Sequence, residues 1–391
     1  MIQLLLPLIY LAFISLGLPD SLLGSAWPVM YPELDVPISW SGIIFMIISV
    51  GTVVSSLQSD RLTRLLDPGK ITAIRVAMTA LALVGFSCSH SFILLCLWAV
   101  PYGLGAGSVD ATLNNYVALH YESRHMSWLH CMWGIGASLG PAIMSQAILR
   151  TASWSNGYRM IGIMQIVLSV ILFFSLPLWK QNQARENGPD SEKPAKPLSL
   201  KEVVSLPGAK EIMLAFFCYC ALEQTVGLWA SSYLVVHKGI PEGTASAFAS
   251  LFFIGITLGR AINGFLTYKL SDTALIRLGQ GISAAGILLL FLPLPQIAGL
   301  MGFIAIGLGC APVYPCIIHS TPVHFGKENS QAMVGVQMAS AYIGTSVMPP
   351  LFGLLSRFLG IAALPFYLFV ILGVQFLMYS RVLRITGRRE G

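Results

Sequence analysis

Twelve long apolar stretches, separated by short polar breaks, follow one another along the chain. Most contain roughly twenty residues, which is the length that an α-helix needs to cross the hydrocarbon core of a bilayer. The pattern predicts spans at about 4–26, 40–58, 71–88, 92–118, 129–149, 158–178, 211–236, 245–267, 275–292, 296–318, 332–355 and 362–383. We therefore expect an all-α integral membrane protein.

One long polar segment interrupts this pattern near the middle of the chain. Residues 179–210 contain KQNQARENGPDSEKPAKP, which is too polar and too rich in proline to bury a core. We interpret it as a flexible linker between an N-terminal six-helix half at 1–178 and a C-terminal six-helix half at 211–391. The second half ends in a short basic tail.

The composition agrees with a protein whose outer surface faces lipid. Of its 391 residues, 55% are hydrophobic and 10% are charged, and the mean hydropathy is +0.74. Soluble domains carry about 25% charged residues. The composition excludes a soluble enzyme and a nucleic-acid binder. The seven cysteines include no CxxC pair, so we expect neither a metal site nor a cofactor.

The basic residues predict which side of the membrane is the cytoplasm. Eighteen of the 23 Lys and Arg residues fall on the side of the termini, four fall on the other side, and Arg260 falls within span 8. Lys and Arg accumulate in cytoplasmic loops, so both termini are predicted to be cytoplasmic. Short loops favour a bacterial protein, multi-pass in the cytoplasmic (inner) membrane.

The two halves repeat one another in sequence. Residues 51–62 align with 259–270 at an offset of 208, and the same offset aligns IGASLGP at 135–141 with IGTSVMP at 343–349. At a similar offset, Asp20 falls on Glu223. Matches in the same order with consistent spacing indicate an internal duplication, as in many transporter folds.

Three acids fall well inside predicted spans: Asp20, Asp110 and Glu223. A carboxylate at the centre of a span costs about 2.5–3.5 kcal/mol on insertion scales, so each calls for an explanation. Each is a candidate for proton coupling, because a desolvated carboxylate without a fixed cation can take up and release a proton. The alternative is a structural acid paired with a cation, and Arg260 can serve only one of them.

Amide and aromatic side chains accompany these acids. Asn114 lies four residues after Asp110, so the two share a helix face. Hydroxyl-rich substrates such as sugars are bound by amides and carboxylates, with an aromatic ring stacked on the C–H face. The candidate substrate-binding residues are Asn114, Asn115, Gln224, Trp133, Tyr314, His130, Asn263 and Gln337. The alternative for His130 is a core histidine, and for Gly103, Gly105 and Gly107 it is helix packing.

The segment SSLQSDRLTRL after span 2 resembles the G-x-L-x-D-R-x-G-R-K signature of the major facilitator superfamily. The resemblance implies a cytoplasmic gate formed by Asp60, Arg61 and Arg64. Arg260 is assigned to this gate as a latch, with a substrate anion site as its alternative. For the other arginines the alternative is ordinary positive-inside charge.

Further motifs resemble one branch of that superfamily, the fucose permease-like (fucose–galactose–glucose:proton symporter) family. They are GLGAGSVDATLN at 103–114, IGASLGP at 135–141, the stretch from Gly259 and Arg260 to Gly264, and APVYP at 311–315. The resemblance implies that an acid of span 1 and an acid of span 4 act in proton coupling and sugar binding. By position these are Asp20 and Asp110, with Asn114 beside the sugar.

We therefore expect a monomeric secondary active transporter that takes up a monosaccharide or similar polar metabolite together with protons. Its partners would be the substrate, protons and membrane lipid. Proton-driven efflux of drugs or metabolites is the first alternative, since the 15 Met and 20 Phe residues could line an apolar cavity. A non-transporting membrane sensor is the second, and an enzyme is the least expected.

Overall fold

The structure is a computed structural model that describes residues 4–20, 22–37, 40–151, 153–179, 198–240, 242–292 and 296–387. All regular structure in these ranges is helical, without a strand, as the apolar pattern predicts. Most of the predicted linker, and Arg388 and Arg389 of the basic tail, lie outside the described residues.

The helices follow the predicted spans closely. In chain order they are α1 (Leu5–Asp20), α2 (Leu22–Glu33), α3 (Ser41–Leu57), α4 (Ser59–Ser87), α5 (Phe92–His120), α6 (Ser123–Thr151), α7 (Trp154–Phe174), α8 (Leu200–Ser205), α9 (Ala209–Val236), α10 (Glu242–Leu266), α11 (Asp272–Phe291), α12 (Gln296–Cys310), α13 (Val313–His319), α14 (Thr321–Phe325), α15 (Lys327–Leu359) and α16 (Leu364–Ile385).

Within the described part of the chain, nine helical segments are long and apolar enough to cross a membrane. Two shorter apolar helices, α3 and residues 251–266 of α10, correspond to predicted spans 2 and 8. The 29-residue helix α6 corresponds to predicted span 5, and its first turn contains Arg124 and His125. The class predicted from the sequence, a multi-pass helical membrane protein, is confirmed.

The polar segment after α3 is helical, although the sequence predicts a loop there. α4 begins at Ser59 and continues through predicted span 3. Its one interruption is Asp67, where φ is 64° and ψ is 152°. Asp67 precedes Pro68, and the proline ring disfavours helical geometry in the residue before it. A sharp bend therefore replaces the predicted loop.

Predicted span 10 is divided into separate helices at its prolines. α12 ends at Cys310 and α13 begins at Val313, with Pro312 as the residue before it. Pro322 occupies the first turn of α14. Proline has no amide hydrogen to donate, so helical hydrogen bonding is interrupted there. The division of span 10 therefore follows from these two prolines.

The end of the predicted linker is also helical. Ser199 caps α8, and its side chain accepts from the Glu202 amide while the Glu202 carboxylate accepts from the Ser199 amide. This reciprocal capping stabilises a short helix in a polar sequence.

At the other end of the same segment, Trp179 is buried, and its ring centroid lies 5.0 Å from that of Tyr116.

The chain forms two compact units. Unit 1 comprises Met1–Tyr116 and Met132–Leu198, and unit 2 comprises Val117–Cys131 and Ser199–Gly391. The junction between α5 and α6 therefore packs with the second repeat in sequence, whereas the rest of both helices belongs to unit 1.

Close helix contacts in unit 1 depend on glycine. A Cβ at Gly17 of α1 would collide with the Trp133 carbonyl of α6, and one at Gly136 would collide with the Ile14 carbonyl. On α5, Gly103 and Gly107 meet the backbone of α3 in the same way. Small residues let membrane helices approach closely. These contacts bring α1 close to α6, and α5 close to α3.

Candidate functional site

Asp20 is the last residue of α1, and its carboxylate is held by donors from two other helices. The Trp133 indole donates from Nε1 to Oδ2 over 2.9 Å, and the Tyr102 hydroxyl donates to Oδ1 over 3.4 Å. Both donors are neutral. Among the residues that the structure describes, Asp20 forms no ion pair, and its side chain is exposed.

Asp110 and Asn114 meet on one face of α5, as their spacing predicts. Asn114 donates from Nδ2 to the Asp110 carboxylate over 2.7 Å and to the Asp110 carbonyl over 3.0 Å. Asn114 is fully buried, Asn115 beside it is also buried, and Asp110 is half-buried. Hydrogen bonds to an ionised carboxylate are about twice as strong as neutral ones, so Asn114 fixes the carboxylate of Asp110.

The two acids of unit 1 interact through their charges. The carboxylates of Asp20 and Asp110 lie close enough to repel each other when both are ionised. Two interacting acids of this kind titrate as a pair, and one bound proton removes the repulsion.

The third predicted acid, Glu223, has a different environment. In unit 2 its carboxylate lies 3.4 Å from Nη2 of Arg260, and it accepts a hydrogen bond from the Tyr219 hydroxyl. Arg260 is almost completely buried. Glu223 is therefore the acid that pairs with Arg260. From the sequence alone, this cation could serve only one of the three acids. A buried ion pair of this kind fixes α9 against α10.

Tyr314 of α13 lies in an aromatic cluster of unit 2. Its ring centroid is 4.3 Å from His130, 4.7 Å from Phe216 and 6.0 Å from Tyr219, in edge-on arrangements. Its hydroxyl lies 3.1 Å from the Met338 sulfur. The sequence singled out His130 and Tyr314 but missed Phe216 and Tyr219. They are separated from Glu223 by seven and four residues on α9, a helical repeat that would have indicated one face.

Asn263 and Gln337 are buried amides that use only part of their hydrogen-bonding capacity. Asn263 donates to the Ser127 hydroxyl over 2.6 Å, and Gln337 accepts from the Thr321 hydroxyl over 3.0 Å. Within the described ranges, Asn263 Oδ1 and Gln337 Nε2 have no hydrogen-bond partner. A buried polar atom without a partner costs about 1–3 kcal/mol, so these atoms favour binding of a polar group.

Gln224 is separate from these clusters. It is exposed, and it lies on the same side of α9 as the exposed Leu228, four residues further on. Its neighbour Glu223 points to Arg260. The structure therefore does not bring Gln224 to the ion pair.

Three of the four residues of the predicted cytoplasmic gate, Asp60, Arg61 and Arg64, lie within two turns of α4 in unit 1. Arg64 donates from Nε to Asp60 Oδ1 over 2.9 Å, one turn apart in α4, and Asp60 is buried while Arg61 is exposed. In the described part of the chain, Asp60 Oδ2 has no hydrogen-bond partner. The structure places Arg260, the fourth residue of the predicted gate, in the ion pair with Glu223.

Comparison with known families identifies the class of protein. The sequence model of the Major Facilitator Superfamily matches residues 9–248 and 212–389. The chain belongs to this superfamily, and it is a membrane transporter of the secondary class, not an enzyme.

Curated relatives are distant in sequence. The yeast protein Bypass of stop codon protein 6 is 23% identical over 280 residues, covering 66% of this chain and 56% of that protein. Human Sodium-dependent glucose transporter 1 is 22% identical over 88% of this chain and 72% of its own. The Bacillus subtilis Glucose/mannose transporter GlcP is 20% identical over 88% and 86%. The chain thus spans little more than half the length of the yeast relative.

Solved structures share the fold at still lower identity. The E. coli fucose:proton symporter FucP superimposes with a TM-score of 0.74 at 17% identity, covering 97% of this chain and 98% of that one. The proton:xylose symporter XylE gives 0.77 at 11% identity, covering 98% and 96%. The resemblance to fucose permeases inferred from the motifs is confirmed in the fold.

Proposed function

We propose that the protein takes up a sugar or a similar small polar metabolite together with protons, by alternating access in the cell inner membrane. It would work as a monomer of twelve spans with both termini in the cytoplasm. The observation that carries the proposal is the environment of Asp20, an acid with two neutral donors and a second acid, Asp110, close by.

This arrangement suits a proton carrier. The Trp133 and Tyr102 donors hold the carboxylate of Asp20 in place without neutralising it, and Asp110 opposes a second negative charge. A proton that binds to the pair from outside removes the repulsion and completes the site. When the site opens to the cytoplasm, where the proton concentration is lower, the proton leaves and the substrate follows. Binding near the middle of the fold and alternating exposure are general in such transporters.

A hydroxyl-rich substrate fits the same site. Carboxylate oxygens of Asp20 and Asp110 accept from hydroxyls, and the amides of Asn114 and Asn115 can both donate and accept. Trp133 presents a ring next to the acid to which its nitrogen donates. His130, Tyr314, Asn263 and Gln337, which the sequence also predicts as substrate-binding residues, belong to unit 2, and Gln224 is the weakest of the predicted set. Relatives and neighbours named for glucose, mannose, fucose and xylose favour this substrate class.

The proposed topology has support in unit 2. Tyr121, Arg124, Tyr268, Asp272 and His319 come from three loops predicted to lie on the side of the termini. The structure brings them into contact: Arg124 donates to the Tyr268 hydroxyl over 2.6 Å, and His319 lies against Asp272 and Tyr121. Loops that meet lie on one side of the membrane. The excess of Lys and Arg supports the proposal that this side is the cytoplasm.

Uptake into proteoliposomes tests the proposal. Purified protein would be given a panel of labelled hexoses, pentoses, deoxy sugars and hexuronates under an inward proton gradient, an inward sodium gradient, or neither. Accumulation of a sugar driven by the proton gradient alone is the expected result. Accumulation driven only by sodium would contradict proton coupling. Silence across the panel, together with proton-driven efflux of lipophilic dyes, would replace uptake with export.

A further inference from the structure

An aspartate and a histidine meet in unit 2, outside the predicted site. His319, the last residue of α13, has Nδ1 2.5 Å from Oδ2 of Asp272, the first residue of α11. The other ring nitrogen, Nε2, lies 3.1 Å from the main-chain oxygen of Tyr121. Tyr121 belongs to the junction between α5 and α6.

The acceptors around His319 fix the number of protons in this contact. A carbonyl oxygen can only accept, so Nε2 carries a hydrogen. A bare Nδ1 would then oppose the lone pairs of an ionised carboxylate at 2.5 Å, which is repulsive. A further proton therefore lies between Nδ1 and Oδ2, whether it is assigned to the imidazole or to the carboxyl. The contact holds one proton more than a neutral histidine and an ionised aspartate do when separated.

The other oxygen of Asp272 also binds the junction. The Ser123 hydroxyl donates to Oδ1 of Asp272. The α5–α6 junction thus has two contacts with the acid–histidine pair, one through Tyr121 and one through Ser123. Asp272 itself is 8% exposed. A buried carboxylate that loses its partner is left with an uncompensated charge, which disfavours the contact strongly.

We propose that Asp272 and His319 form a second proton-binding site that holds the α5–α6 junction against α11 and α13 while the proton is bound. Loss of the proton leaves His319 with one N–H for two acceptors, so either the Asp272 carboxylate or the Tyr121 carbonyl then faces a lone pair. The junction is then released. The contact is stable at low pH and is lost as pH rises, because only the closed form holds the additional proton.

The other ionisable groups around the pair have partners of their own. Arg124 pairs with Glu122 at 3.2 Å and donates to Tyr268. Arg277, one turn and a half along α11, donates to Gln280 and Ser380. His324 of α14 lies against the Thr386 hydroxyl. Cys316 of α13 is the exception, because its thiol interacts with Asp272 itself. Within the described ranges no lysine or arginine pairs with Asp272, so the proton supplies the positive charge.

The inference rests on the proposed function only in its consequence for transport. Val117–Cys131 continues at one end into the part of α5 that carries Asp110, and at the other end into the part of α6 that carries Trp133. A junction that is released by deprotonation at the cytoplasmic side would let these two helices move when the proton leaves. The site would thereby link cytoplasmic opening to proton release.

Hydrogen–deuterium exchange of the junction tests the site directly. The protection factor of peptide 117–131, corrected for the intrinsic exchange rate, would be measured between pD 5.5 and 8.5. The protein would carry Asp20→Asn and Asp110→Asn, so that the proposed coupling acids contribute nothing to the titration. The protection factor is expected to fall by about tenfold for each pD unit above the transition, because the contact releases one proton when it opens.

Two substitutions of His319 give opposite expectations. His319→Gln, which cannot take up the proton, is expected to give low protection at every pD. His319→Arg, which keeps a fixed charge, is expected to give high protection at every pD. His324→Gln, the matched control on the neighbouring helix, is expected to titrate like the parent. A pD-dependent protection that survives in both His319 variants would overturn the proposal, and so would a parent protein whose protection does not change with pD.

This result does not depend on sugar transport. If uptake fails in the proteoliposome panel but the exchange titration is present, the proton site stands and the substrate assignment falls. If uptake is proton-driven but the titration is absent, the proposed function stands and the Asp272–His319 site falls.

Discussion

The indole nitrogen of Trp133 donates to the carboxylate of Asp20 over 2.9 Å, from a different helix. The sequence offered Trp133 as a stacking surface for a sugar. The structure shows that the same side chain also orients the acid of span 1. The ring and its nitrogen therefore link substrate contact to the proposed proton site.

Removal of this hydrogen bond should weaken transport without unfolding the protein. In Trp133→Phe the carboxylate loses its donor while an aromatic ring remains. A hydrogen bond to a charged group contributes about 1.5–3 kcal/mol, so KM or maximal rate should change by about 10–100-fold. Initial uptake rates over a range of substrate concentrations measure this. Trp229→Phe, which removes an indole donor to the Pro349 carbonyl, is the control and should retain transport.

Neutralising either acid of the pair should separate exchange from accumulation. In Asp20→Asn and Asp110→Asn the side chain keeps its shape but cannot carry the proton, so uphill uptake should be lost while exchange of internal for external substrate continues. Radiolabelled counterflow and gradient-driven uptake compare the two. Asp35→Asn is the control, because Asn tolerates the positive φ of 54° at that position. Normal accumulation in both variants would exclude the pair as the coupling site.

The Glu223–Arg260 pair should matter for stability. Glu223→Gln leaves the charge of a buried arginine without its partner, which costs about 3–5 kcal/mol. The melting temperature in detergent should fall clearly. Replacement of both residues by Gln removes the unpaired charge and should recover much of that loss. If the single and double variants melt alike, the two residues do not act as an ion pair.

Gly17 of α1 and Gly24 of α2 offer a matched test of packing. Gly17→Ala places a methyl group against the Trp133 carbonyl, whereas a Cβ at Gly24 meets nothing within 4 Å. Overpacking of this kind costs about 1–3 kcal/mol. Gly17→Ala should lower the melting temperature and weaken uptake, because it moves Trp133 relative to Asp20. Gly24→Ala should change neither, and equal effects of the two would argue against this packing.

Features set by local spacing could be predicted from the sequence. Asp110 and Asn114 meet because they are four residues apart on one helix, and α12 ends before Pro312 because proline lacks an amide hydrogen. Gly103 and Gly107 of α5 pack against α3, and Gly105 packs against α4, as the helix-packing alternative for these glycines predicted. The first two of these features follow from residues close in the chain.

Features set by tertiary contacts could not be predicted. The local sequence does not show that Arg260 pairs with Glu223 and not with one of the other two acids. It also does not show that the indole nitrogen of Trp133 donates to Asp20. The Asp272–His319 pair was missed because an acid in the first turn of a helix is ordinary, and Ser271 before it is an ordinary cap. Only the fold shows that this acid meets a histidine from α13.

The most direct test of the central claim is a current measurement on proteoliposomes adsorbed to a solid-supported membrane. A pulse of the sugar identified by uptake would be applied without any ion gradient, to wild type, Asp20→Asn and Asp110→Asn. Co-transport of sugar and proton predicts an inward positive current in the wild type, unchanged when sodium is replaced by choline, and absent in both variants. A sugar that is transported without current in the wild type, or a current that persists in both variants, would contradict it.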